Sequence, residues 1–313
     1  MIRLIEPGPQ TTVQDLGRFG HLRAGIPPSG PMDVRAFVIA NRLVGNPDNA
    51  AALECTVVGP RFAVERGGAI AVTGAEAPVL VNDQPAPQWT TLVLPPGAQV
   101  RVGAARAGVR IYVAFAGGLD VPAVLGSRAT YLRGRLGGLE GRNLKRGDTL
   151  GLRPHPEPVV ARRLPAADIP AVEPEPEIRV VLGPQADRFT AEGIAAFLSG
   201  PYEMLPQSDR MGARLSGPAI AHRRGHDIIS DGIALGAIQV PGDGQPIVLL
   251  VDRQSTGGYT KVATVGSFDI GRIGQVKPGQ RVRFRAVEVA EAHRLRRQWE
   301  AALAAAAGGA VAA

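Results

Sequence analysis

Between residues 109 and 115 the chain alternates strictly, with Val109, Ile111, Val113 and Phe115 on one face and Arg110, Tyr112 and Ala114 on the other. Between 281 and 285, Val282 and Phe284 oppose three arginines in the same way. A period of two predicts half-buried strands, and β-branched runs at 69–73, 99–102, 178–182 and 247–251 predict four more. Helical patterning is confined to three places. Asp33 precedes apolar positions at Val34, Phe37, Val38 and Val44 and a stop at Gly45-Asn46-Pro47, which predicts a capped helix over 33–44. A second helix is predicted over 187–198, closed by Ser199-Gly200-Pro201. The Ala-, Arg- and Glu-rich tail from 287 to 307 predicts a third, fraying at Gly308-Gly309 into a disordered end.

Composition sharpens this into an all-β expectation. Aromatics make up 4% of the 313 residues, whereas Gly and Pro number 40 and 27, which suits many short strands and tight turns. The stretch 153–177 is glycine-free and holds Pro154, Pro156, Pro158, Pro165, Pro170, Pro174 and Pro176, so it reads as a semi-extended linker. It divides the chain into a first β domain, 1–152, a second, 178–286, and a tail, 287–313. The halves echo each other. Ser29-Gly30-Pro31-Met32 returns as Ser208-Asp209-Arg210-Met211, and the Pro96-Gly97 turn returns as Pro278-Gly279 at nearly the same separation, which points to a duplicated domain.

The net charge of +7 is gathered into patches. Arg128, Arg133, Arg135, Arg142, Lys145 and Arg146 face only Glu140 in their stretch, and the segment 281–297 sets six arginines against two glutamates. Neither patch interleaves aromatics, so nucleic acid is not expected as a partner. Cys55 is the sole cysteine, which excludes an internal disulfide and a cysteine-based zinc site. His222 and His226 are four apart but separated by Arg223-Arg224-Gly225, and no metal is expected. No run approaches the roughly 20 apolar residues of a membrane span, and the amino terminus lacks a signal-peptide core, so a cytoplasmic location without a membrane partner is expected.

Candidate chemistry concentrates where glycine-rich turns flank strands. The strand at 247–251 lies between Val240-Pro241-Gly242-Asp243-Gly244-Gln245-Pro246 and the loop 252–261, and these supply Asp243, Gln245, Asp252, Gln254, Thr256 and Lys261. Such groups suit a small polar amide, an acid or a phosphate, with glycines admitting a ligand to the backbone. In the first half, Gln14, Asp15 and Arg18 surround a glycine turn shortly before Ser29 and Asp33; a substrate holder and a local Asp15–Arg18 salt bridge are equal readings. The glycines of 136–142 could form a phosphate nest or a mobile basic docking loop. There is no GxxxxGK[ST], and no GxSxG surrounds Ser208.

Several of these motifs resemble one family. TTVQDLGRFG (11–20), SGPMD (29–33), ANRLVGNPDN followed by an alanine-extended AAALE (40–54), AGGLDVPAVLGSRATYLRGRLGGLEGR (116–142), SDRMGARLSGP (208–218), DIISDGI (227–233) and IQVPGDGQPIVLLVDRQSTGGYTKVATV (238–265) are similar to allophanate hydrolase subunit 2, the carboxyltransferase-related family. That family includes the C component of bacterial ATP-dependent 5-oxoprolinase. The resemblance implies two tandem cyclophilin-like β-barrel domains with a few short helices. It also implies a direct partner, the 5-oxoprolinase B component, together with the A component. The resulting complex opens 5-oxoproline to glutamate, with ATP and Mg used at the level of the complex. Carried onto the matched positions, substrate binding falls to Gln14, Asp15, Arg18, Ser29, Asp33, Ser208, Arg210, Gln239, Gln245, Gln254 and Thr256, and catalysis to Asp243, Asp252 and Lys261. Two relatives imply alternatives: the biotin-dependent carboxyltransferase part of urea carboxylase, and a non-enzymatic antagonist that binds a kinase-inhibitor-like partner. This chain lacks a Met-Lys-Met biotinylation site.

Overall fold

The computed structural model describes residues 1–155, 158–308 and 311–312; Pro156 of the predicted linker and Gly309 after the predicted tail helix lie outside the described residues. The chain is mostly β and divides into two compact units. One comprises Met1–Arg18, Ser29–Val172 and Ala302–Ala313, and the other comprises Phe19–Pro28 and Glu173–Ala301.

In the first unit the strands lie in two sheets. One runs in the order Leu119–Asp120, Thr149–Leu152, Ile2–Glu6, Arg61–Val64, Gln99–Val102, Val79–Val81, Gln84–Ala86. The other runs Gln10–Gln14, Ala52–Thr56, Ala107–Phe115, Gly68–Glu76, Thr91–Leu94. Ile2, Leu4, Phe62 and Val100 from the former share a buried cluster with Val13, Leu53, Val72, Ile111, Val113 and Phe115 from the latter. The alternation read from 109–115 therefore aims its apolar face at this core. The opposite face is also covered: Tyr112 and Ala114 pack beneath the helix Val34–Leu43, where Phe37 meets the Tyr112 ring edge-on at 5.9 Å. That helix begins as the sequence predicts, because the Asp33 carboxylate accepts a hydrogen bond from the Ala36 N–H at 3.1 Å and satisfies one of the unpaired first-turn donors.

The second unit closes into a seven-stranded barrel. Its order is Glu177–Leu182, Lys261–Val265, Ala237–Gln239, Ile247–Leu249, Gly212–Ser216, Tyr202–Met204, Arg281–Ala286, with the last strand returning parallel to the first. Phe284 and Tyr202 point inward with Phe197, stacked on Phe284 at 4.7 Å, which accounts for the apolar side of the arginine-rich strand. Asp227–Gly232 and Thr256–Tyr259 form a separate two-stranded ribbon.

Two local expectations shift. The helix predicted from 187 starts later, at Ala191–Ser199, because Thr190 rather than Asp187 caps it by accepting from the Gly193 N–H; Ala186–Arg188 forms a short 3-10 turn instead. The echo between halves is also partial. Pro96-Gly97 and Pro278-Gly279 both turn into strands, but the Ser29 motif leads into a helix whereas the Ser208 motif leads into the strand Gly212–Ser216. The tail helix runs Val289–Gly308, and Val311–Ala312 pairs with Arg162–Arg163.

Candidate functional site

In the first unit the segment after the strand Gln10–Gln14 is folded against the loop 124–138. Asp15 is buried and gathers three donors: the Gly17 N–H at 2.9 Å, the Ser127 hydroxyl at 2.5 Å and the Arg128 N–H at 2.5 Å. A carboxylate so surrounded organises two loops at once. Arg18, also buried, donates from Nη2 to the Ala129 carbonyl at 2.5 Å and from Nε to that of Val124 at 3.3 Å. The glycines of 136–142 serve this packing. Gly137 has φ +67°, and a side chain there would place its first carbon 2.1 Å from the Ala129 oxygen and 2.6 Å from Arg18 Nη2. Gly138 would meet Thr130 Oγ1 at 2.0 Å. These glycines admit neighbouring protein groups, which is the role a phosphate nest would otherwise require of them.

Gln14 donates both amide hydrogens, to Thr12 Oγ1 at 3.0 Å and to the Thr130 carbonyl at 3.2 Å. The Thr130 oxygen can only accept, so it fixes which end of the amide faces it. The Gln14 Oε1 that remains is buried without a hydrogen-bond partner among the described residues, and so is Ser29 Oγ. Ser29 holds φ +56°, an uncommon conformation for a side-chain-bearing residue. The next residue, Gly30, lies so near Leu16 that a first side-chain carbon would sit 3.0 Å from its carbonyl oxygen, which brings the SGPMD loop against the QDLG turn.

Glu54 and Tyr112 tie this loop down. Glu54 Oε2 accepts from the Met32 N–H at 2.8 Å and the Tyr112 hydroxyl at 2.9 Å, while that hydroxyl accepts from the Asp33 N–H at 2.8 Å. Burial, and then the charges of Glu54 and Asp33, hold the Tyr112 hydroxyl well above the ordinary tyrosine value, so it stays protonated as a donor. Neither residue was singled out from the sequence. The available signal was a glutamate inside the apolar run 53–57.

The second unit holds three separate arrangements. Arg210 and Asp252 form a buried two-pronged pair, Nε to Oδ2 at 2.9 Å and Nη2 to Oδ1 at 3.3 Å, braced by the Asp252 N–H donating to the Arg210 carbonyl at 2.9 Å. Ser208, Asp243 and Gln245 each shape a turn. Ser208 Oγ accepts from the Arg214 N–H at 3.0 Å, Asp243 Oδ1 from the Gln245 N–H at 3.0 Å, and the Gln245 amide clamps both backbone groups of Gly217 at 2.8 and 3.3 Å.

The third arrangement brings Lys261, Gln239 and Gln254 together. Gln239 and Lys261 are register partners on adjacent barrel strands. Lys261 Nζ contacts the Asp231 carboxylate on the ribbon, and Gln185 spans the two, its Oε1 accepting from the Lys261 N–H at 3.1 Å and its Nε2 donating to Asp231 at 3.3 Å. Gln239 Nε2 reaches the Tyr259 carbonyl and Gln254 Nε2 reaches Gln239 Oε1, each only at 3.5 Å. Thr256 lies exposed on the ribbon opposite Gly232. Behind the ribbon His222 Nε2 sits 3.1 Å from both the Val240 carbonyl and Thr260 Oγ1; burial, chiefly, pushes its pKa below the ordinary value and keeps it neutral near pH 7.

With this geometry in place the relationships of the chain are informative. Residues 24–286 match the carboxyltransferase domain, subdomain A and B. The chain belongs to this family. The C component of 5-oxoprolinase from Escherichia coli is 38% identical over 95% of this chain and 94% of its own length. A urea amidolyase of Lachancea kluyveri is 36% identical over 95% of this chain, which spans only 17% of that much longer protein. The crystal structure of the K. lactis urea amidolyase superposes with a TM-score of 0.89 at 33% identity, covering 96% of this chain and 20% of that one.

This carboxyltransferase-domain chain has a cavity of about 210 Å³ at the end of the helix Val34–Leu43, lined by Arg42, Asn46, His155 and Arg162 among others, and none of the sequence-derived site residues borders it. Gln185, Glu54, Tyr112, Ser127 and Thr130 are the side chains that the structure adds, and Asp231, a carboxylate already offered by the DIISDGI motif alongside Asp243 and Asp252, gains its partner here. Among the described residues no group of three or more His, Cys, Asp or Glu could hold a metal ion, and no helix is long and apolar enough to cross a membrane.

Proposed function

We propose that this chain is the C-type component of a multi-subunit 5-oxoprolinase, acting with partners of the B and A types on a small cyclic amide. The observation that carries the reading is coverage at high identity: the match, at 38% identity, takes in 94% of the E. coli C component, whereas it takes in a minor part of the urea amidolyase. The geometry is compatible with an amide ligand. Unsatisfied acceptor and hydroxyl atoms, Gln14 Oε1 and Ser29 Oγ, lie in one unit, and a buried ammonium with two loosely bonded carboxamides lies in the other.

A lactam carbonyl is a poor electrophile, and ATP would supply activation of its oxygen. The glycine loop that could have cradled a nucleotide phosphate does not fit one, since Gly137 and Gly138 lie against Ala129, Thr130 and Arg18. ATP handling is therefore assigned to the complex, and no step is routed through it. Of the three residues expected to be catalytic, Lys261 is kept in that role. Asp252 is assigned to hold Arg210, and Asp243 to form its turn.

The test is reconstitution. The chain alone should release no glutamate from 5-oxoproline with ATP, and the mixture with B- and A-type components should. Lys261→Met removes a charged contact worth about 1.5–3 kcal/mol, so turnover of the mixture should fall roughly 10- to 150-fold. Carboxylation of urea with a biotin carrier, run side by side, is the competing outcome favoured by the similarity to urea amidolyase. Turnover of urea and none of 5-oxoproline would replace the reading.

A further inference from the structure

Lys261 is a poorly matched cation. Its side chain is 3% exposed, yet its three ammonium hydrogens meet one carboxylate among the described residues, Asp231, whose own side chain is 44% exposed. A buried ammonium normally has its donors filled. Here the nearby acceptors are under-used as well. Gln239 is buried, and both its contacts are at 3.5 Å, the outer limit of a hydrogen bond. Gly257 faces Gln239 so closely that a first side-chain carbon would lie 2.6 Å from Nε2, so this face of the ribbon is kept bare beside the amide.

Asp231 is also the most removable partner that Lys261 could have. It does not stand on the barrel. It belongs to Asp227–Gly232, which among the described residues is hydrogen-bonded as a strand only to Thr256–Tyr259, with an irregular register between Asp227 and Asp231. The ribbon buries little, and Ile229 at its middle is 95% exposed. Elements with few buried contacts open at the least free-energy cost.

Resting on the reading of Lys261 as the site's cation, we propose that the Asp231 carboxylate is a stand-in for the ligand's own carboxylate. An incoming acid takes the place of Asp231 on Lys261, its second oxygen accepts from Gln239 or Gln254, and the ribbon moves away carrying Asp231. The shared chemistry is that of an oxyanion. A carboxylate is favoured over a phosphate because one ammonium and two carboxamides supply a single positive charge, enough for a monoanion, with no arginine among these contacts.

The experiment uses the full chain without partners, so it is independent of turnover. Binding of 5-oxoproline, of neutral pyrrolidin-2-one and of inorganic phosphate is measured by calorimetry for the wild type, Asp231→Asn and Lys261→Met, with backbone hydrogen exchange across 227–232. Asp231→Asn should tighten 5-oxoproline by about 3- to 10-fold, leave pyrrolidin-2-one unchanged, and Lys261→Met should abolish the difference between the two. In the wild type, saturating 5-oxoproline should speed exchange in the ribbon. That measurement needs no variant and holds even if Asp231→Asn folds poorly. Unchanged or slowed ribbon exchange, equal affinity for the neutral lactam, or no binding of 5-oxoproline overturns the inference; tighter binding of phosphate than of 5-oxoproline overturns the carboxylate assignment. Glutamate release by the reconstituted mixture with any of these results would retain the function and remove only the displacement.

Discussion

Asp252 offers a quantitative separation of structural from chemical roles. Its carboxylate and the Arg210 guanidinium are 5% and 4% exposed, share two hydrogen bonds of 2.9 and 3.3 Å, and sit on segments already joined by backbone bonds from Asp252 N–H to the Arg210 carbonyl and from Leu250 N–H to the Met211 carbonyl. Replacing Asp252 with Ala takes its two-pronged partner from a guanidinium with almost no access to water. Removing one partner of a buried pair costs about 3–5 kcal/mol. For a unit of roughly 150 residues or slightly fewer, each kcal/mol moves the midpoint by about 2–4 °C or slightly more, so the melting temperature should drop by roughly 6–20 °C. Replacing both partners at once, Arg210→Met with Asp252→Leu, removes both charges and should recover most of that loss, because pairs exchanged for apolar side chains of similar volume are often neutral or better. Differential scanning calorimetry on the two single variants and the double variant completes the cycle. An Asp252→Ala protein that melts within about 2 °C of the wild type while the reconstituted mixture loses turnover would refute the structural assignment and return Asp252 to the chemistry.

Gly137→Ala should destabilise the first unit by more than about 1 kcal/mol, since the added carbon falls 2.1 Å from a backbone oxygen in a left-handed conformation, whereas Gly147→Ala, at φ +88° with nothing within 4 Å, should show only the conformational penalty of about 1 kcal/mol; equal melting temperatures would remove the close-packing argument. Alkaline stability should decline early. Burial raises the Cys55 thiol from its ordinary 9.0 to about 12 and lifts Tyr112 well above 10.0. Both folded groups hold their protons more tightly than the unfolded chain, so the stabilisation is complete below about pH 9 and falls as the pH climbs toward the folded values, by up to about 1.4 kcal/mol per pH unit for each group. Chemical denaturation between pH 7 and 11 checks this, and a stability that rises over that interval contradicts it.

The fold was legible wherever one physical signal dominated. Period-two alternation located the strands ending in Phe115 and beginning at Arg281, because one face of each is buried and a shift of one residue would reverse every side chain. Asp33 located a helix start because its carboxylate competes for a specific N–H. The short strands of three or four residues, such as Val79–Val81 and Ala237–Gln239, carry too few positions to show a period and owe their conformation to neighbouring strands. The echo between Ser29 and Ser208 does not extend to the elements that follow for a related reason: two matching letters in four say nothing about whether the next residues find a sheet edge or a helix cap.

The site was legible in kind and only partly in arrangement. Sequence alone points to glycine-flanked polar residues, and the structure brings Lys261, Gln239 and Gln254 into one neighbourhood. It gives no means of ranking Asp231, Asp243 and Asp252, since three carboxylates in polar loops look alike until their partners are known. The structure separates them by what each accepts from: a backbone N–H two residues on for Asp243, a buried guanidinium for Asp252, and an under-coordinated ammonium for Asp231. The Asp252 carboxylate is taken up by its guanidinium and backbone brace, and Asp243, exposed, commits one oxygen to its own turn. Asp231, on a ribbon outside the barrel sheet, is the one of the three that holds an ammonium with donors to spare. With its carboxylate end open to water, this pair is more strongly screened than the fully buried Arg210–Asp252 pair. The placement is what a reversible occupant of the Lys261 position requires: enough attraction to keep the ammonium positioned between ligands, and too little to withstand a carboxylate that also finds donors on Gln239 and Gln254.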